Sequence, residues 1–289
     1  MRSLNDCKLY VITGENYHKG RDLLEVMEAA IRGGADIVQL RDKDAAGPEL
    51  LEKARALREL TRRLGALFIV NDHPEIALAA EADGVHLGQE DLPIEAARAL
   101  VGPDRLIGIS THSIGQARAA ERAGADYIGV GPVYPTGTKP GRPAVGTGYV
   151  AEAAEEIRIP FFAIGGIHPG NAEEVLAAGA RRLCAVSAVV GSPDPAAVCR
   201  ELRALIERAQ LSAPLPRTGG GRLAKTVVVN GRAETTDADT LQELAASFRF
   251  GEKLVVAERN GEVVPRADWT STPVGEGDRI EFVHFVGGG

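Results

Sequence analysis

Residues 67–91 read LFIVNDHPEIALAAEADGVHLGQED. The runs LFIV and DGVHL have strand length, and PEIALAAEA between them has apolar residues at helical spacing. Strand, helix and strand in so short a span predict a crossover unit whose two strands run parallel. Asn71-Asp72 follows the first run, and Gly88 to Asp91 follows the second. Polar residues therefore gather where strands end.

Outward from this unit the pattern repeats. KLYVIT (8–13), DIVQLR (36–41), LIGIST (106–111), DYIGVG (126–131), FFAIGG (161–166) and LCAVSAVV (183–190) bring the strand-like runs to eight. Helical patterns such as DLLEVMEAAIRGG (22–34), PELLEKARALRELTRRLG (48–65) and NAEEVLAAGA (171–180) lie between them. DPAAVCRELRALIERA (194–209) closes the series. Eight βα units predict an α/β fold, a closed (β/α)8 TIM barrel. An open doubly wound sheet is the alternative that the same alternation allows.

SAPLPRTGGGR, from Ser212 to Arg222, is rich in Pro and Gly and reads as a linker. The expected organisation is a barrel over residues 1–211, a linker over 212–222 and a second domain over 223–289. The second domain reads KTVVVNGRAE, TLQELAASF, KLVVAERNGEVV and DRIEFVHFV. Asn230-Gly231 and Asn260-Gly261 are hairpin-turn pairs between apolar runs. A small sheet crossed by one helix, a ubiquitin-like β-grasp, is the economical arrangement.

The 289 residues are 44% hydrophobic and 25% charged, as in a globular protein. A net charge of −7 argues against nucleic acid as a partner. Cys7, Cys184 and Cys199 show no metal or disulfide spacing, which fits a reducing cytosol. The start is too short and polar for a signal peptide, and no apolar run reaches bilayer length. A cytoplasmic protein without a membrane partner is the expectation.

In a barrel of this kind the chemistry sits at the C-terminal strand ends. Gln39, Arg41 and Lys43 alternate and so share a face, two cations and an amide suited to a polyanion. The rival reading is a salt-bridged rim. Asp72 and Asp91 follow adjacent strands and could share a divalent cation, or each could cap the helix after it. Ser110 ends the fifth strand. The loop after the sixth carries Thr136, Thr138 and Lys139, and long rim loops are often functional. The loops after strands seven and eight form the recurrent phosphate site of the fold. Gly165-Gly166 there exposes backbone N–H groups, and Ser187 adds a hydroxyl near a helix start. Of the six histidines none falls in a ligand pair; His86 reads as structural, and His112 and His168 are rim positions without a clear role. One anion set beside paired carboxylates and a second set opposite suggest group transfer with loss of pyrophosphate.

The motifs VQLRDK, FIVND, DGVHLGQED, GIS, GPVYPTGTK, AIGGI and VSAVV resemble those of thiamine-phosphate synthase over nearly all of residues 8–209. The resemblance implies that 4-amino-5-hydroxymethyl-2-methylpyrimidine diphosphate is joined to 4-methyl-5-(2-phosphoethyl)thiazole. It places Gln39, Arg41, Lys43, Asn71, Ser110 and Lys139 on the pyrimidine diphosphate, and Asp72 and Asp91 on Mg2+. Thr136, Thr138, Gly166, Val186 and Ser187 would hold the thiazole phosphate. In such enzymes pyrophosphate is thought to leave first, and the thiazole nitrogen captures the pyrimidine methylene cation. No side-chain nucleophile is then required.

Residues 225–289, through VVVNG, ERNGEVVPR and the Gly-Gly end, resemble the sulfur carrier protein of thiazole synthesis. That likeness implies a Gly289 carboxylate adenylated by an activating enzyme, converted to a thiocarboxylate and presented to a thiazole synthase, with Gly288 before it. Three terminal glycines reach roughly 10 Å and add no side-chain bulk. A thiazole tautomerase-like barrel with a non-catalytic β-grasp docking module is the rival. It has less need of Arg41, Lys43, Asp72 and Asp91 together.

Overall fold

Alternating strands and helices fill the chain up to Ser212 in the computed structural model, which describes residues 3–14, 17–18, 20–45, 47–137, 143–212, 225–248 and 255–284. The chain divides into two compact units, Met1–Ser212 and Ala213–Gly289. In the first, β1 (Leu9–Ile12), β2 (Ile37–Leu40), β3 (Leu67–Asn71), β4 (Gly84–Leu87), β5 (Leu106–Thr111), β6 (Tyr127–Val130), β7 (Phe161–Ile164) and β8 (Leu183–Ala185) form a closed barrel. Each strand is parallel to the next, and β1 pairs with β8 through Leu9↔Leu183. The open sheet is thereby excluded.

The crossovers are α1 (Leu23–Arg32), α2 (Gly47–Leu64), α3 (Pro74–Ala79), α4 (Ile94–Val101), α5 (Ile114–Arg122), α6 (Gly146–Glu156), α7 (Ala172–Ala177) and a short α8 (Ser187–Val190). The helix α9 (Pro195–Ser212) closes the barrel. Two expectations shift. The run LCAVSAVV is strand only to Ala185; its second half turns into α8. Its β-branched residues suited either state, and Val189 and Val190 are buried by helical packing instead. Ser212, expected to begin the linker, ends α9; the remainder of the linker lies outside the described residues.

Why the barrel holds its register is visible at the N-terminal ends of the even-numbered strands. Asp36, Asp83 and Asp126 each precede one of these strands. The carboxylate of Asp83 accepts from Phe68 N at 2.8 Å and from Arg58 Nη1 of α2 at 2.8 Å. Asp36 accepts from Lys8 N and Leu9 N and pairs with Arg203 of α9 at 2.6 Å. Asp126 does the same with Ile107 N and Arg98 of α4. Each carboxylate thus ties a strand to its neighbour and to a helix outside. Breaking a buried pair leaves the partner charge uncompensated. We expect Asp83→Ala to lower barrel stability by about 3 kcal/mol in urea unfolding, and Asp126→Ala, with the most exposed of the three carboxylates, to cost less. Equal costs, or none at Asp83, would contradict the assignment.

The second unit is a five-stranded sheet in the order β10-β9-β13-β11-β12. These are β9 (Lys225–Val229), β10 (Arg232–Thr236), β11 (Val255–Arg259), β12 (Glu262–Val264) and β13 (Arg279–His284), with α10 (Leu241–Ser247) between the hairpins. The central pair β9 and β13 is parallel and the flanking pairs are antiparallel. Leu241 and Leu244 of α10 pack on Val227, Ile280, Phe282 and Trp269. Both hairpins turn as their sequences require: Asn230 and Gly231 have φ of 48° and 77°, and Asn260 and Gly261 of 54° and 90°. This is a β-grasp arrangement. Gly288 and Gly289 lie outside the described residues.

Candidate active site

Ile12, Gln39, Asn71, His86, Ser110, Gly129, Ile164 and Cys184 come one from each strand of the barrel, and all line one cavity. Arg41, one residue past β2, joins them. So do Thr136, Gly165, Gly166, Val186 and Ser187 from the loops after β6, β7 and β8.

One side is built on β2 to β5. Gln39 is buried and gives an amide proton to Tyr10 OH at 2.7 Å. Arg41 is pinned by its backbone: its N donates to Thr13 Oγ1 at 2.9 Å, and Thr13 Oγ1 donates to its carbonyl at 3.1 Å. The next residue, Asp42, shapes the turn. It accepts from Asp44 N and Ala45 N, each at 3.0 Å, and from Lys53 Nζ at 2.6 Å. Burial alone would raise its pKa; Lys53 and the two backbone N–H groups outweigh that and hold it low. Lys43 rides on this turn, exposed, with Nζ 3.8 Å from Asp72 Oδ2.

Of the two candidate metal carboxylates, Asp72 directly follows β3 and Asp91 lies in the loop after β4. Asp72 N donates to His86 O, and Asp91 Oδ2 accepts from Gly88 N at 2.6 Å. Neither carboxylate caps a helix. The N-caps of α3 and α4 are His73 and Pro93, and neither makes a side-chain capping bond. Asp72 has φ of 63°, a left-handed conformation that costs a non-glycine residue about 1 kcal/mol or more. Strain of that kind at a rim aspartate is compatible with a role in binding.

The other side is built on β6 to β8. Gly165 and Gly166 have φ of 105° and 65°. A Cβ on Gly165 would meet Pro132, and one on Gly166 would meet Tyr134 Cβ at 2.8 Å. The pair is therefore required first for packing of the loop after β6, a role the sequence reading did not assign. Val186 precedes α8 with φ −123° and ψ −89°, and Ser187 opens that helix. Thr138 and Lys139 lie outside the described residues.

Beneath this mouth lie Tyr10 and Tyr127, which the sequence reading did not single out, and His86, which it read as structural. Tyr10 OH and Tyr127 OH are 3.0 Å apart, Tyr127 OH is 3.2 Å from His86 Nδ1, and His86 Nε2 is 2.9 Å from Ser110 Oγ. Burial raises the pKa of both tyrosines, so they remain protonated. Inward placement of His86, at period two along β4, was the available signal. His112 also lines the cavity, with Nδ1 at 2.5 Å from Gly131 O. His168 does not line it; its ring accepts from Gly170 N in the loop after β7. Cys184 is the one thiol among the lining residues. Burial pushes its pKa up, so it is no thiolate nucleophile. Cys7, Cys184 and Cys199 are buried, and none of the three is in a disulfide. No described helix is long and apolar enough to cross a membrane.

Comparison with known proteins agrees with this arrangement. A family described as thiamine monophosphate synthase matches residues 9–189, and the ThiS family matches residues 223–289. A thiamine-phosphate synthase of Shouchella clausii is 51% identical over 203 residues, covering 70% of this chain and 97% of the relative. That of Halalkalibacterium halodurans is 50% identical over 206 residues, covering 71% and 98%. Among solved structures, thiamine phosphate pyrophosphorylase from Pyrococcus furiosus superposes with a TM-score of 0.65 at 41% identity, covering 71% of this chain and 98% of that one.

Proposed function

Since the chain belongs to the thiamine monophosphate synthase family and carries a ThiS domain behind its barrel, we propose a two-part role in making one vitamin. The barrel, a transferase, joins the pyrimidine diphosphate to the thiazole phosphate and releases thiamine phosphate and pyrophosphate. The second unit carries sulfur for the thiazole as a thiocarboxylate on Gly289, loaded by an adenylating enzyme and delivered to a thiazole synthase.

The observation that carries the barrel reading is the single cavity that holds Arg41, Asn71 and Ser110 on one side and Gly166, Val186 and Ser187 on the other. The diphosphate sits on the first side and the thiazole phosphate on the second. The bond between the pyrimidine methylene carbon and the diphosphate oxygen breaks, and its electron pair stays on oxygen. Arg41, Lys43, Lys139 and the Ser110 hydroxyl meet that growing charge, and Gln39 and Asn71 hold the ligand in register. The thiazole nitrogen then gives its lone pair to the methylene carbon. The positioned phosphate of the thiazole, on Thr136, Thr138, Gly166, Val186 and Ser187, keeps that nitrogen in line. Burial of Gln39 and Asn71 on the cavity floor strengthens the contacts that these two make.

Asp72 and Asp91 offer hard oxygen donors, as Mg2+ prefers. Asp91 spends one oxygen on Gly88 N and keeps the other for a cation. Among the described residues no three His, Cys, Asp or Glu side chains form a metal cluster, so substrate phosphate and water would complete the shell. Bound there, the ion would add positive charge beside the departing oxygens.

The test is a product assay on the full chain with both substrates and Mg2+. Thiamine phosphate and pyrophosphate should appear in equal amounts. Asp91→Ala should lower turnover on the order of 100-fold and raise the magnesium needed. Unchanged turnover in that variant would contradict the metal assignment, and turnover of a thiazole alone would favour a tautomerase.

A further inference from the structure

The chain of buried hydroxyls under the cavity has a direction. Gln39 Nε2 can only donate, and Tyr10 OH accepts its proton at 2.7 Å. Tyr10 is 2% exposed, and Tyr127 OH, at 3.0 Å, is the acceptor within reach of its own proton. If Tyr127 donated to Tyr10 instead, the Tyr10 proton would be buried without an acceptor, which is costly. Tyr10 therefore donates to Tyr127. Tyr127 then has its proton for His86 Nδ1 at 3.2 Å. A nitrogen that accepts carries no proton, so the neutral imidazole holds its proton on Nε2. That nitrogen faces Ser110 Oγ at 2.9 Å and donates to it. The serine oxygen is occupied as an acceptor, and its own proton is left for the cavity.

We propose that Tyr10, Tyr127 and His86 are positioning residues that fix the Nε2–H tautomer of His86 and so make Ser110 a hydrogen-bond donor toward the bound anion. This rests on the transferase reading for the identity of that anion, a diphosphate. No proton changes hands; the serine proton is held where charge develops on oxygen as the C–O bond breaks. The reverse polarity would turn the Ser110 lone pairs toward the diphosphate, which a second acceptor would repel. Tyr127 is fully buried, with its ring centroid 6.0 Å from that of Tyr10 and 5.8 Å from that of Phe162, so its oxygen is kept between Tyr10 OH and His86 Nδ1.

Histidine labelled with 15N in the full-length protein decides the tautomer, since multiple-bond proton–nitrogen spectra separate a bare ring nitrogen from a protonated one. His86→Gln identifies the signal among the six histidines. Wild type should show His86 with Nδ1 bare and Nε2 protonated. Tyr127→Phe, which keeps the ring, should mix the two tautomers and lower turnover by about tenfold. In a Ser110→Ala background the same substitution should change turnover by less than about twofold. A protonated Nδ1 in wild type overturns the proposal, as does an equal loss from Tyr127→Phe in both backgrounds. If the two substrates give no product, the functional reading fails, and the spectrum still decides the tautomer.

Discussion

Arg41→Met should reduce synthesis of thiamine phosphate by about a thousandfold while leaving the fold intact. The position is held by its backbone, through the two bonds with Thr13, so the substitution removes the guanidinium and leaves those two bonds in place. The guanidinium stands half-buried in the cavity, where a charge acts through a lower effective dielectric than in water. Losing one such group at developing charge costs about 3–4 kcal/mol of barrier. Methionine fills much of the stem's volume, so the variant's barrel should still unfold in urea as one cooperative transition. The loss should fall on kcat, because the contact strengthens as the C–O bond opens. A variant that changed KM alone would place Arg41 in ground-state binding only.

Removal of Gly288 and Gly289 should abolish thiocarboxylate formation outright and leave barrel turnover unchanged. With a cognate activating enzyme, ATP and a sulfur donor, the intact chain should gain about 16 Da, oxygen exchanged for sulfur. The shortened chain should gain nothing. Independence of the two activities follows from the division of the chain into two compact units, each with its own core. No mass gain in the intact chain, with the partner active on its own carrier, would leave the second unit a docking module.

The barrel was legible in the sequence because its strands are short apolar runs separated by helical ones, and burial on both faces requires that pattern. The run 67–91 became β3, α3 and β4 with ends within a few residues of those expected. The β-grasp hairpins were legible for a sharper reason: Asn-Gly is the pair that accepts two consecutive left-handed residues. The end of β8 was not, since VSAVV suits strand and helix alike until packing decides. Site residues at strand ends could be listed in order, and Gln39, Arg41, Asn71, Ser110, Thr136, Gly166, Val186 and Ser187 do meet in one cavity. What escaped was long-range pairing. Nothing local in KLYVIT, DGVHLG or DYIGVG says that Tyr10, His86 and Tyr127 share hydrogen bonds, because their contact exists only once the barrel closes. The Asp–Arg clamps beneath the strands were hidden for the same reason; Asp36 and Arg203 are 167 residues apart.

A crystal structure of the full chain with thiamine phosphate, pyrophosphate and Mg2+ would test the central claim most directly. Pyrophosphate should lie against Arg41 and Ser110 with the metal between it and Asp72 and Asp91, and the thiazole phosphate should rest on Gly166 and Ser187. Both phosphate groups on the Gly166 side, or pyrophosphate bound away from Arg41 and the two aspartates, would contradict it.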